Sequence, residues 1–418
     1  MLDIQFIRDN AELVATEAKH KGVEIDVSKL LDLDEERRQL IGESEVLRAE
    51  RNDLAATLKG GKPEQSVIER GRQVKDKLAS IDAELAGVTE QYNDLMLCVP
   101  NLMHESVVRA PGEEGNTVVK TVGKKPEFDF EIKDHVELGE SLDVIDLKTA
   151  AEVSGARFYY LKGDLVMLEN ALTSWILQKL SSKGFTPVIT PTMVREEMME
   201  ATGFFPAERN EIYAVNPDDD NLYLAGTSEV PLTGLHTVNK LIEDDLPKYY
   251  VGYSTCYRRE AGSYGKDTKG ILRVHQFNKL EMYCFAKPEN SWEIHEQFLA
   301  IEEEILGELG LHYQVINIGS GDLGAPAAKK YDCEVWIPSQ EKYRELTSCS
   351  NCTDYQARRM KIKYKKSDGK NEFVHTLNGT AMASTRTLIA IMENYQMPDG
   401  HFSVPEVLKP FMGGKEII

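Results

Sequence analysis

The fold is decided by residues 249–285, which read YYVGYSTCYRREAGSYGKDTKGILRVHQFNKLEMYCF. Two strand-like runs flank a loop that contains Gly262, Gly265 and Gly270. Glycines tolerate the backbone conformations of tight loops, so this arrangement predicts an antiparallel hairpin with a long connection. The second half of the chain should therefore contain an antiparallel sheet.

Charged side chains recur at alternate positions of this predicted hairpin. Because side chains in a strand alternate between two faces, residues two apart share a face. Arg258 and Glu260 share one on the outgoing strand. The return strand is predicted to present on one face Arg273, His275, Phe277, Lys279 and Glu281. Arginines, an aromatic ring and a carboxylate suit a nucleotide and an amino acid, although an ordinary exposed sheet face would have the same pattern.

Three further segments carry side chains suited to chemistry. Residues 225–229, AGTSE, form a small-residue turn that offers hydroxyls and a carboxylate. Glu345 and Ser348 pair a carboxylate with a hydroxyl, which suits a hard cation such as Mg²⁺. Arg386 lies early in a predicted amphipathic helix that follows NGT at 378–380, where the helix dipole would help it to hold phosphate.

Two elements precede the hairpin. Residues 165–180, LVMLENALTSWILQKL, predict an apolar-rich helix that ends near Gly184. The next run, FTPVITPTMV, contains Pro187 and Pro191, and prolines are confined to the edges or bulges of sheets. We therefore expect an edge strand available for pairing with another chain, with a plain loop as the alternative.

The first hundred residues predict a projecting helical hairpin. Leucines recur every seven positions at Leu33, Leu40, Leu47 and Leu54. The following segment repeats apolar or small residues in heptads at Val67, Gly71, Val74, Leu78, Ile81, Leu85, Val88, Tyr92 and Leu95. GGKP at 60–63 would end one helix and permit a reversal, so residues from about 28 to 97 should form an antiparallel coiled coil of roughly 45–50 Å.

Charge is unevenly distributed along this hairpin. Its base, residues 31–47 and 78–97, holds two basic and ten acidic side chains, whereas residues 48–77 hold eight basic and five acidic ones. The basic residues of the outer part are Arg48, Arg51, Lys59, Lys62, Arg70, Arg72, Lys75 and Lys77. Such an outer half would suit a polyanion, while an ordinary solvated coiled coil is the alternative.

Residues 101–125 show no sustained period and contain Pro111, Gly112 and Gly115, which predicts a linker. We place the domain boundary near residue 110. The chain then consists of an arm-bearing domain, 1–110, and a second domain, 111–418.

Composition narrows the class of protein. The chain has 418 residues, of which 41% are hydrophobic and 28% charged, as is typical of globular proteins. No run approaches the ~18 apolar residues of a membrane span, and MLDIQFIRDN is no secretory signal. Six cysteines in a chain of this length indicate reduced thiols. A cytoplasmic enzyme without a membrane partner is expected, and the net charge of −20 argues against wrapping nucleic acid over the whole surface.

Two further motifs do not support the binding sites that they would suggest by themselves. GSGDLG at 319–324 matches G-x-G-x-x-G, but Pro326 and a strand signal from Cys333 leave too little room for the helix of a dinucleotide-binding unit. Cys349 and Cys352 form a C-x-x-C without a second pair at zinc spacing. Structural thiols are therefore favoured over a redox pair or half a metal site, and no zinc is expected. The chain has no P-loop, so any ATP must be bound without one.

Together these segments resemble the seryl-tRNA synthetase family of class II aminoacyl-tRNA synthetases, in its common bacterial and eukaryotic type. FTPVITPTMV is similar to the first class II motif, with its proline at Pro191. YRREAGSYGKDTKGILRVHQFNKLEMY is similar to the second motif and NGTAMASTRTLIAIMENYQ to the third. TSE at 227–229 and ELTSCSNC at 345–352 are similar to blocks of this family alone, and the resemblance spans nearly the whole chain.

The resemblance implies an α+β fold, with a class II catalytic domain built on an antiparallel β-sheet flanked by helices and an N-terminal two-helix coiled-coil arm. It implies activation of L-serine with ATP and Mg²⁺ to seryl-adenylate and pyrophosphate, followed by transfer of serine to the 3′ end of tRNA(Ser). In some hosts tRNA(Sec) would be a further acceptor. It also implies a homodimer formed through the first motif, with tRNA bound across both subunits.

The resemblance also assigns roles to residues of this sequence. The implied catalytic residues are Arg258, Arg386 and Glu345. The implied serine pocket comprises Thr227, Ser228, Glu229, Arg258, Glu281, Asn378 and Thr380. The implied ATP contacts are Arg258, Arg259, Glu260, Arg273, Val274, Phe277, Glu345, Leu346, Thr347, Ser348 and Arg386. Glu345 and Ser348 would hold Mg²⁺, and the eight basic residues of the outer hairpin would contact tRNA. Arg259 departs from the many relatives that carry serine there.

Two rival interpretations remain at this stage. A relative that loads an amino acid onto a carrier protein would lack the long hairpin, which is intact here. A catalytically inactive paralogue serving as an RNA-binding protein would have lost some motif residues, all of which are present.

Overall fold

The computed structural model of the chain describes residues 1–58, 64–217, 219–238, 241–261 and 269–418. These residues form two compact units, Leu2–Pro100 and Asn101–Ile418. The predicted turn at 60–63, with Lys59 and Lys62, lies outside the described residues, as do Gly262 and Gly265 of the hairpin loop.

The helices of the described ranges are α1 (Ile4–Asp9), α2 (Ala11–His20), α3 (Val27–Leu58), α4 (Gln65–Cys98), α5 (His135–Ser141), α6 (Leu147–Ser154), α7 (Asp164–Ser182), α8 (Glu196–Thr202), α9 (Glu229–Thr233), α10 (Ser291–Glu308), α11 (Tyr355–Met360) and α12 (Ser384–Asn394). None of them combines the length and apolarity needed to cross a bilayer.

The strands of the described ranges are β1 (Thr117–Val122), β2 (Ile145–Asp146), β3 (Tyr160–Leu161), β4 (Thr186–Ile189), β5 (Met193–Arg195), β6 (Ala214–Val215), β7 (Leu222–Leu224), β8 (Leu241–Ile242), β9 (Lys248–Tyr257), β10 (Gln276–Ala286), β11 (Tyr313–Asn317), β12 (Lys329–Ile337), β13 (Lys342–Asn351), β14 (Lys363–Lys365), β15 (Asn371–Phe373) and β16 (His375–Ala383). The largest sheet that they form has the order β1-β11-β12-β13-β16-β10-β9-β4.

The first unit contains the predicted two-helix arm, formed by α3 and α4. The leucine seam of α3 is buried at Leu33, Leu40 and Leu47. It packs against the heptad positions of α4 that are buried, namely Val74, Leu78, Ile81, Val88 and Tyr92. Arg70 of α4 makes two hydrogen bonds, of 2.6 and 2.9 Å, to the carboxylate of Glu50 of α3. The predicted coiled-coil arm is confirmed.

The second unit is built on the large sheet, and the hairpin predicted over residues 249–285 lies within it as β9 and β10. β9 and β10 pair antiparallel from Tyr257 opposite Gln276 to Lys248 opposite Phe285. β4 is the last strand on one side among the described residues and runs parallel to β9, so the predicted edge strand is confirmed; it contains Pro187, and Pro191 follows its end. All other neighbours in this sheet are antiparallel, which confirms the predicted α+β class.

Three helices supply the apolar core beneath this sheet. Leu168 of α7, Phe298 of α10 and Leu388 of α12 are fully buried in one cluster with the apolar side chains of the strands. The helix predicted over 165–180 is confirmed as α7. A sheet covered by helices is stabilised by burying apolar area at about 25 cal/mol per Å².

The predicted linker at 101–125 is wrong for its second half. Thr117–Val122 forms β1, which pairs with β11 at the far edge of the large sheet. Gly115 and Gly319 explain the local geometry, because a Cβ on Gly319 would lie 2.5 Å from the carbonyl carbon of Gly115. Gly319 and Gly321 of GSGDLG thus permit two backbones to approach each other, which a search for periodicity does not detect.

Candidate functional site

A cavity of about 580 Å³ opens over the centre of the large sheet, a size typical of small-molecule sites. A second cavity of about 80 Å³ adjoins it. Both are lined by Arg258, Glu260, Lys279, Glu345 and Ser348. The large cavity is further lined by the predicted residues Thr227, Glu229, Arg273, Glu281 and Asn378. The small one is further lined by Val274, Phe277, Leu346, Thr380 and Arg386.

Arg258 stands at the junction of the two cavities. Its backbone N–H donates to the carbonyl of His275 at 3.0 Å, which extends the β9–β10 ladder by one rung. Its Nε donates to the carbonyl of Gly226 at 3.3 Å, and its guanidinium lies 5.5 Å from the centre of the Phe277 ring. The side chain is thus held between a backbone carbonyl and an aromatic face.

The carboxylate of Glu260 and the guanidinium of Arg273 face each other across this site. Arg273 Nη1 lies 3.3 Å from Glu260 Oε2. Glu260 has a φ of 51°, a left-handed conformation, and its carbonyl accepts a hydrogen bond of 2.8 Å from Arg157. The unusual backbone at Glu260 is therefore fixed by a partner far away in the sequence.

A buried carboxyl, Glu229, lines the large cavity. Gln356 Nε2 donates to its Oε1 at 2.7 Å, and Asn378 Nδ2 donates to the same atom at 3.0 Å. Burial is the main reason that the pKa of Glu229 is raised to about 7, and the neighbouring charge of Glu281 is the second. The hydrogen bond from Gln356 acts in the opposite direction. This carboxyl therefore changes charge near neutral pH.

Lys279 connects the predicted amino-acid-binding residues. Its Nζ lies 2.5 Å from Glu281 Oε2 and donates to the hydroxyl of Thr227 at 3.3 Å. It lies on the same face of β10 as Phe277 and Glu281, as the alternation predicts. One buried cation thus orients one carboxylate oxygen and one hydroxyl of the pocket.

Glu345 and Ser348 reach the same cavity because of a β-bulge. The register between β12 and β13 shifts between Cys333 and Glu334, where Cys333 is opposite Thr347 and Glu334 is opposite Glu345. The extra residue, Leu346, reverses the alternation, so that residues three apart can line one cavity.

The carboxyl of Glu345 is surrounded by cations. Burial alone would raise its pKa, but Lys330, Arg386 and then Arg258 lower the pKa of Glu345 to about 2. Arg386 Nη1 donates to the carbonyl of Glu345 at 2.8 Å and to its Oε2 at 3.1 Å. Glu345 is therefore an anion at every physiological pH.

Lys330 also pairs with a second acid. Its Nζ lies 3.0 Å from Asp332 Oδ1. Burial and then the charge of Glu345 raise the pKa of Asp332, whereas Lys330 lowers it. Lys330 lines the large cavity, so this cation is shared between a buried acid and the wall of the site.

Four side chains highlighted in the sequence lie outside both cavities. Ser228 Oγ is within 2.6 Å of the Ser254 hydroxyl, and Arg259 is exposed. Thr347 donates to the buried Glu302 at 2.9 Å, on the other face of β13. His275 precedes β10 and packs 5.2 Å from the ring of Phe158.

Three residues that the sequence analysis did not assign to the site contribute to it: Lys279 and Lys330 line the large cavity, and Gln356 donates to Glu229. Lys279 had a signal, since it shares the face of Phe277 and Glu281. Lys330 had none, because the strand signal was recognised only from Cys333 onward. Gln356 had none either: its amide accepts from Thr376 at 2.7 Å and donates to Glu229, contacts that join residues far apart in the chain.

The arm carries the other predicted site. Arg48 is bound to Asp82 at 3.0 Å and Arg70 to Glu50, so both tie the two helices together. The remaining described residues of the predicted set are exposed: Arg51, Arg72, Lys75 and Lys77. Lys59 and Lys62 lie outside the described residues.

Comparison with protein families matches both units. Residues 1–103 match the family described as the seryl-tRNA synthetase N-terminal domain. Residues 213–395 match the class II tRNA synthetase core domain of the G, H, P, S and T enzymes.

Whole proteins match over the full length. A serine–tRNA ligase from Thermobifida fusca is 45% identical over 416 residues, covering 99% of this chain and 98% of the relative. One from Treponema denticola is 42% identical over 419 residues, covering 99% of each. The crystal structure of a Pyrococcus horikoshii seryl-tRNA synthetase complexed with ATP is 40% identical, covers 100% of this chain and 99% of that one, and superposes with a TM-score of 0.90.

Proposed function

Because this chain belongs to the seryl-tRNA synthetase family, we propose that its two adjoining cavities are the ATP and serine sites of an ATP-dependent serine–tRNA ligase. The ligase activity is that of the family; what we propose is the part played by each residue. The observation that carries the proposal is the convergence of Arg258, Glu281 and Glu345 on one cavity from three different strands or strand ends.

The small cavity and its rim suit ATP. Phe277 offers a ring on which adenine would stack, and Glu260 would contact the base. Arg258 would bridge the serine carboxylate and the α-phosphate, while Arg273 and Arg386 would hold the distal phosphates. Arg386 is the third residue of α12, so the partial positive charge of the helix end adds to that of its guanidinium.

Adenylate formation in such a site needs no general base. The serine carboxylate is already a nucleophile, and it attacks the α-phosphorus as the bond to pyrophosphate breaks. What the protein must supply is alignment of the two reactants and cancellation of charge on the phosphate oxygens. The guanidinium groups of Arg258, Arg273 and Arg386 would perform both tasks.

The donor set fits Mg²⁺ bound together with ATP. Glu345 stays ionised and Ser348 offers a hydroxyl, and Mg²⁺ is commonly bound through one or two carboxylates together with substrate phosphates. The described residues contain no group of three or more potential metal ligands from histidine, cysteine, aspartate or glutamate. Glu345 and Ser348 would therefore hold the ion only with the nucleotide, and the ion would neutralise phosphate charge.

The large cavity suits serine. Buried polar groups that bond the serine hydroxyl would be left unpaired by alanine, which gives strong discrimination. Glu281 of the large cavity would do so together with Thr380, which is opposite it on β16 and lines the adjoining small cavity. Lys279 lies 2.5 Å from one oxygen of Glu281 and would hold it in place. Thr227, Glu229 and Asn378 would complete the pocket around the ammonium group. Threonine would be excluded only by lack of space for its methyl group.

ATP–pyrophosphate exchange with a panel of amino acids and no tRNA tests this assignment. We expect exchange that depends on serine, with alanine and threonine far less active. Exchange that depends on another amino acid would preserve the fold and contradict the pocket. No exchange from folded protein would instead favour an inactive paralogue.

The raised pKa of Glu229 predicts a pH dependence of serine binding. An ammonium group prefers an ionised partner, and Glu229 is protonated below about pH 7, so the affinity for serine should increase as the pH rises through 7 and then level off. Between pH 6 and 8 the change should be about tenfold, with uptake of serine at pH 6 releasing about one proton. Calorimetry in buffers of different ionisation enthalpy measures both.

The matched control for this prediction is Glu229→Gln, which keeps the size of the side chain and removes the titration. Its serine affinity should be weaker at pH 8 and nearly independent of pH. A pH profile of wild-type shape in this variant would show that another group titrates.

The arm would provide the contact with tRNA(Ser). The side chains of Arg51, Arg72, Lys75 and Lys77 are exposed and lie on the outer part of the hairpin. Lysine and arginine contacts to phosphates position an RNA without reading its sequence, and they make affinity strongly dependent on salt. Transfer to tRNA(Sec) stays a prediction that concerns the host.

A homodimer and a cytoplasmic location complete the proposal. β4 has no neighbour on its outer side among the described residues, and its Ile189 is 85% exposed, which suits pairing with a second copy. All six cysteines of the sequence are free thiols, as is usual in a reducing compartment.

A further inference from the structure

A strongly basic surface lies on the second unit, outside the catalytic cavity. It is formed by β14, β15 and the segments on either side of β14, and we call it the basic hairpin, residues 358–373. Residues 358–370 carry seven basic and one acidic side chain, a net charge of +6 in a chain whose total is −20. The basic residues are Arg358, Arg359, Lys361, Lys363, Lys365, Lys366 and Lys370.

Some of these cations are neutralised locally. Arg358 donates to Asp354 at 2.7 Å, Lys366 lies 3.1 Å from Glu372, and Lys370 lies 3.7 Å from Asp368. Lys361, Lys363 and Lys365 differ, because each is exposed and none has a carboxylate within ion-pairing distance in the described part of the chain. The uncompensated charge is therefore concentrated in three alternate residues.

Protection of a sheet edge does not explain these lysines. Natural proteins often place lysine on edge strands to prevent aggregation. β14, however, is the central strand of the small sheet β15-β14-β8. Tyr364 between the two strand lysines is buried in an apolar cluster, so Lys363 and Lys365 both point to the opposite, exposed face.

That exposed face carries both charged and apolar side chains. Lys363 is opposite Phe373 on β15, with Nζ 4.3 Å from the ring centre. Lys365 is opposite Asn371 and next to Ile242 of β8, which is half exposed. Lys363 and Lys365 are two residues apart on one strand, so they lie about 6.6 Å from each other and repel each other; an anion such as a phosphate bound beside them would relieve that repulsion.

We propose that the basic hairpin binds the phosphate backbone of the tRNA that the enzyme aminoacylates, as a contact of the catalytic unit distinct from that of the arm. The inference rests on the proposed function, since it takes tRNA as the polyanion. Lysines act as point charges that hold phosphates without selecting a base sequence, so this contact contributes affinity and orientation.

The test uses the full-length protein with Lys361, Lys363 and Lys365 all replaced by glutamine. Binding of tRNA(Ser) transcript is measured against KCl concentration, and serine-dependent pyrophosphate exchange is measured without tRNA. We expect the slope of log affinity against log salt to decrease by about two to three, since each lost phosphate contact accounts for nearly one. The Kd at ~0.15 M salt should rise at least about tenfold, and exchange should stay unchanged.

The matched control replaces three exposed lysines elsewhere on the same unit, K124Q, K148Q and K342Q, which removes the same charge. It should lower the slope by much less than the hairpin variant. Equal slopes for the two variants, or an unchanged slope in the hairpin variant, would overturn the proposal. If the triple variant does not fold, K361Q and K363Q singly should each lower the slope by about one. Failure of the wild-type protein to serylate tRNA would refute the proposed function instead.

Discussion

Replacing Arg258 with alanine is expected to lower serine-dependent ATP–pyrophosphate exchange by about a thousandfold or more. The guanidinium lines both cavities and is positioned by Gly226 and Phe277. Removing a single group that stabilises developing charge commonly costs a factor of about 10²–10³ in rate. Because Arg258 would contact both the serine carboxylate and the α-phosphate, its loss should affect alignment as well as charge.

The control for this variant is Arg195→Ala, which removes an exposed arginine of β5 and should exchange at the wild-type rate. Both variants should have the circular dichroism spectrum and melting temperature of the wild type, and both should bind tRNA. Wild-type-like exchange in Arg258→Ala would refute its assignment. A lysine at position 258 should recover little activity, since an ammonium group cannot bridge two anions in the planar way that a guanidinium does.

The elements with a strong local signal could be predicted from the sequence. The heptads of the arm, the apolar helix α7 and the β9–β10 hairpin each depend on a period of 3.5, 3.6 or 2 within one segment. β1 could not be predicted in this way, because Thr117–Val122 is a strand only through its pairing with β11, almost two hundred residues later. Its exposed valines and lysine give no clear alternation, and the glycine contact that holds the preceding turn is also long-range.

The candidate site, like the fold, could be predicted only where the signal lies within one segment of the sequence. The period of β10 correctly grouped Phe277, Lys279 and Glu281 on one face. The sequence paired Glu345 with Ser348 as a carboxylate and a hydroxyl suited to a cation, but that both line one cavity depends on a β-bulge that a regular alternation would not predict. Gln356 was missed because its contact with Glu229 joins two helices that are 127 residues apart in the chain, and Lys330 because its interaction with Glu345 joins the neighbouring strands β12 and β13. No period or motif in their own segments records those contacts.

Net charge was the least informative quantity. A total of −20 argues against wrapping nucleic acid over the whole surface, yet the outer arm and the basic hairpin are both locally positive. The range of electrostatic interactions in salt is about 8–10 Å, so an RNA responds to the patch it touches rather than to the whole protein. Acidic residues elsewhere would then restrict tRNA to those patches.

Removal of the arm should impair the transfer of serine to tRNA and leave the activation of serine intact. Deleting residues 31–97, or only the outer part 48–77, is expected to lower kcat/KM for serylation of tRNA by about a hundredfold or more. Serine-dependent pyrophosphate exchange should stay within about twofold of wild type, since the cavities belong to the other compact unit. The shorter deletion is preferable because it leaves the base of the two helices in place. Ser44 and Asp82 are hydrogen-bonded there at 3.1 Å, so a short glycine-rich turn can join the shortened helices.

A charge variant distinguishes loss of contact from loss of structure. Replacing Arg51, Arg72, Lys75 and Lys77 with glutamine leaves the buried leucine seam and the Arg70–Glu50 pair intact. It should reproduce much of the deletion's effect on tRNA and lower the salt slope by up to about four, while exchange stays unchanged. Equal losses in exchange and serylation would show that the arm supports the catalytic unit itself. A full loss on deletion with no effect of the charge variant would assign the arm's contribution to shape or to Lys59 and Lys62 rather than to these four cations.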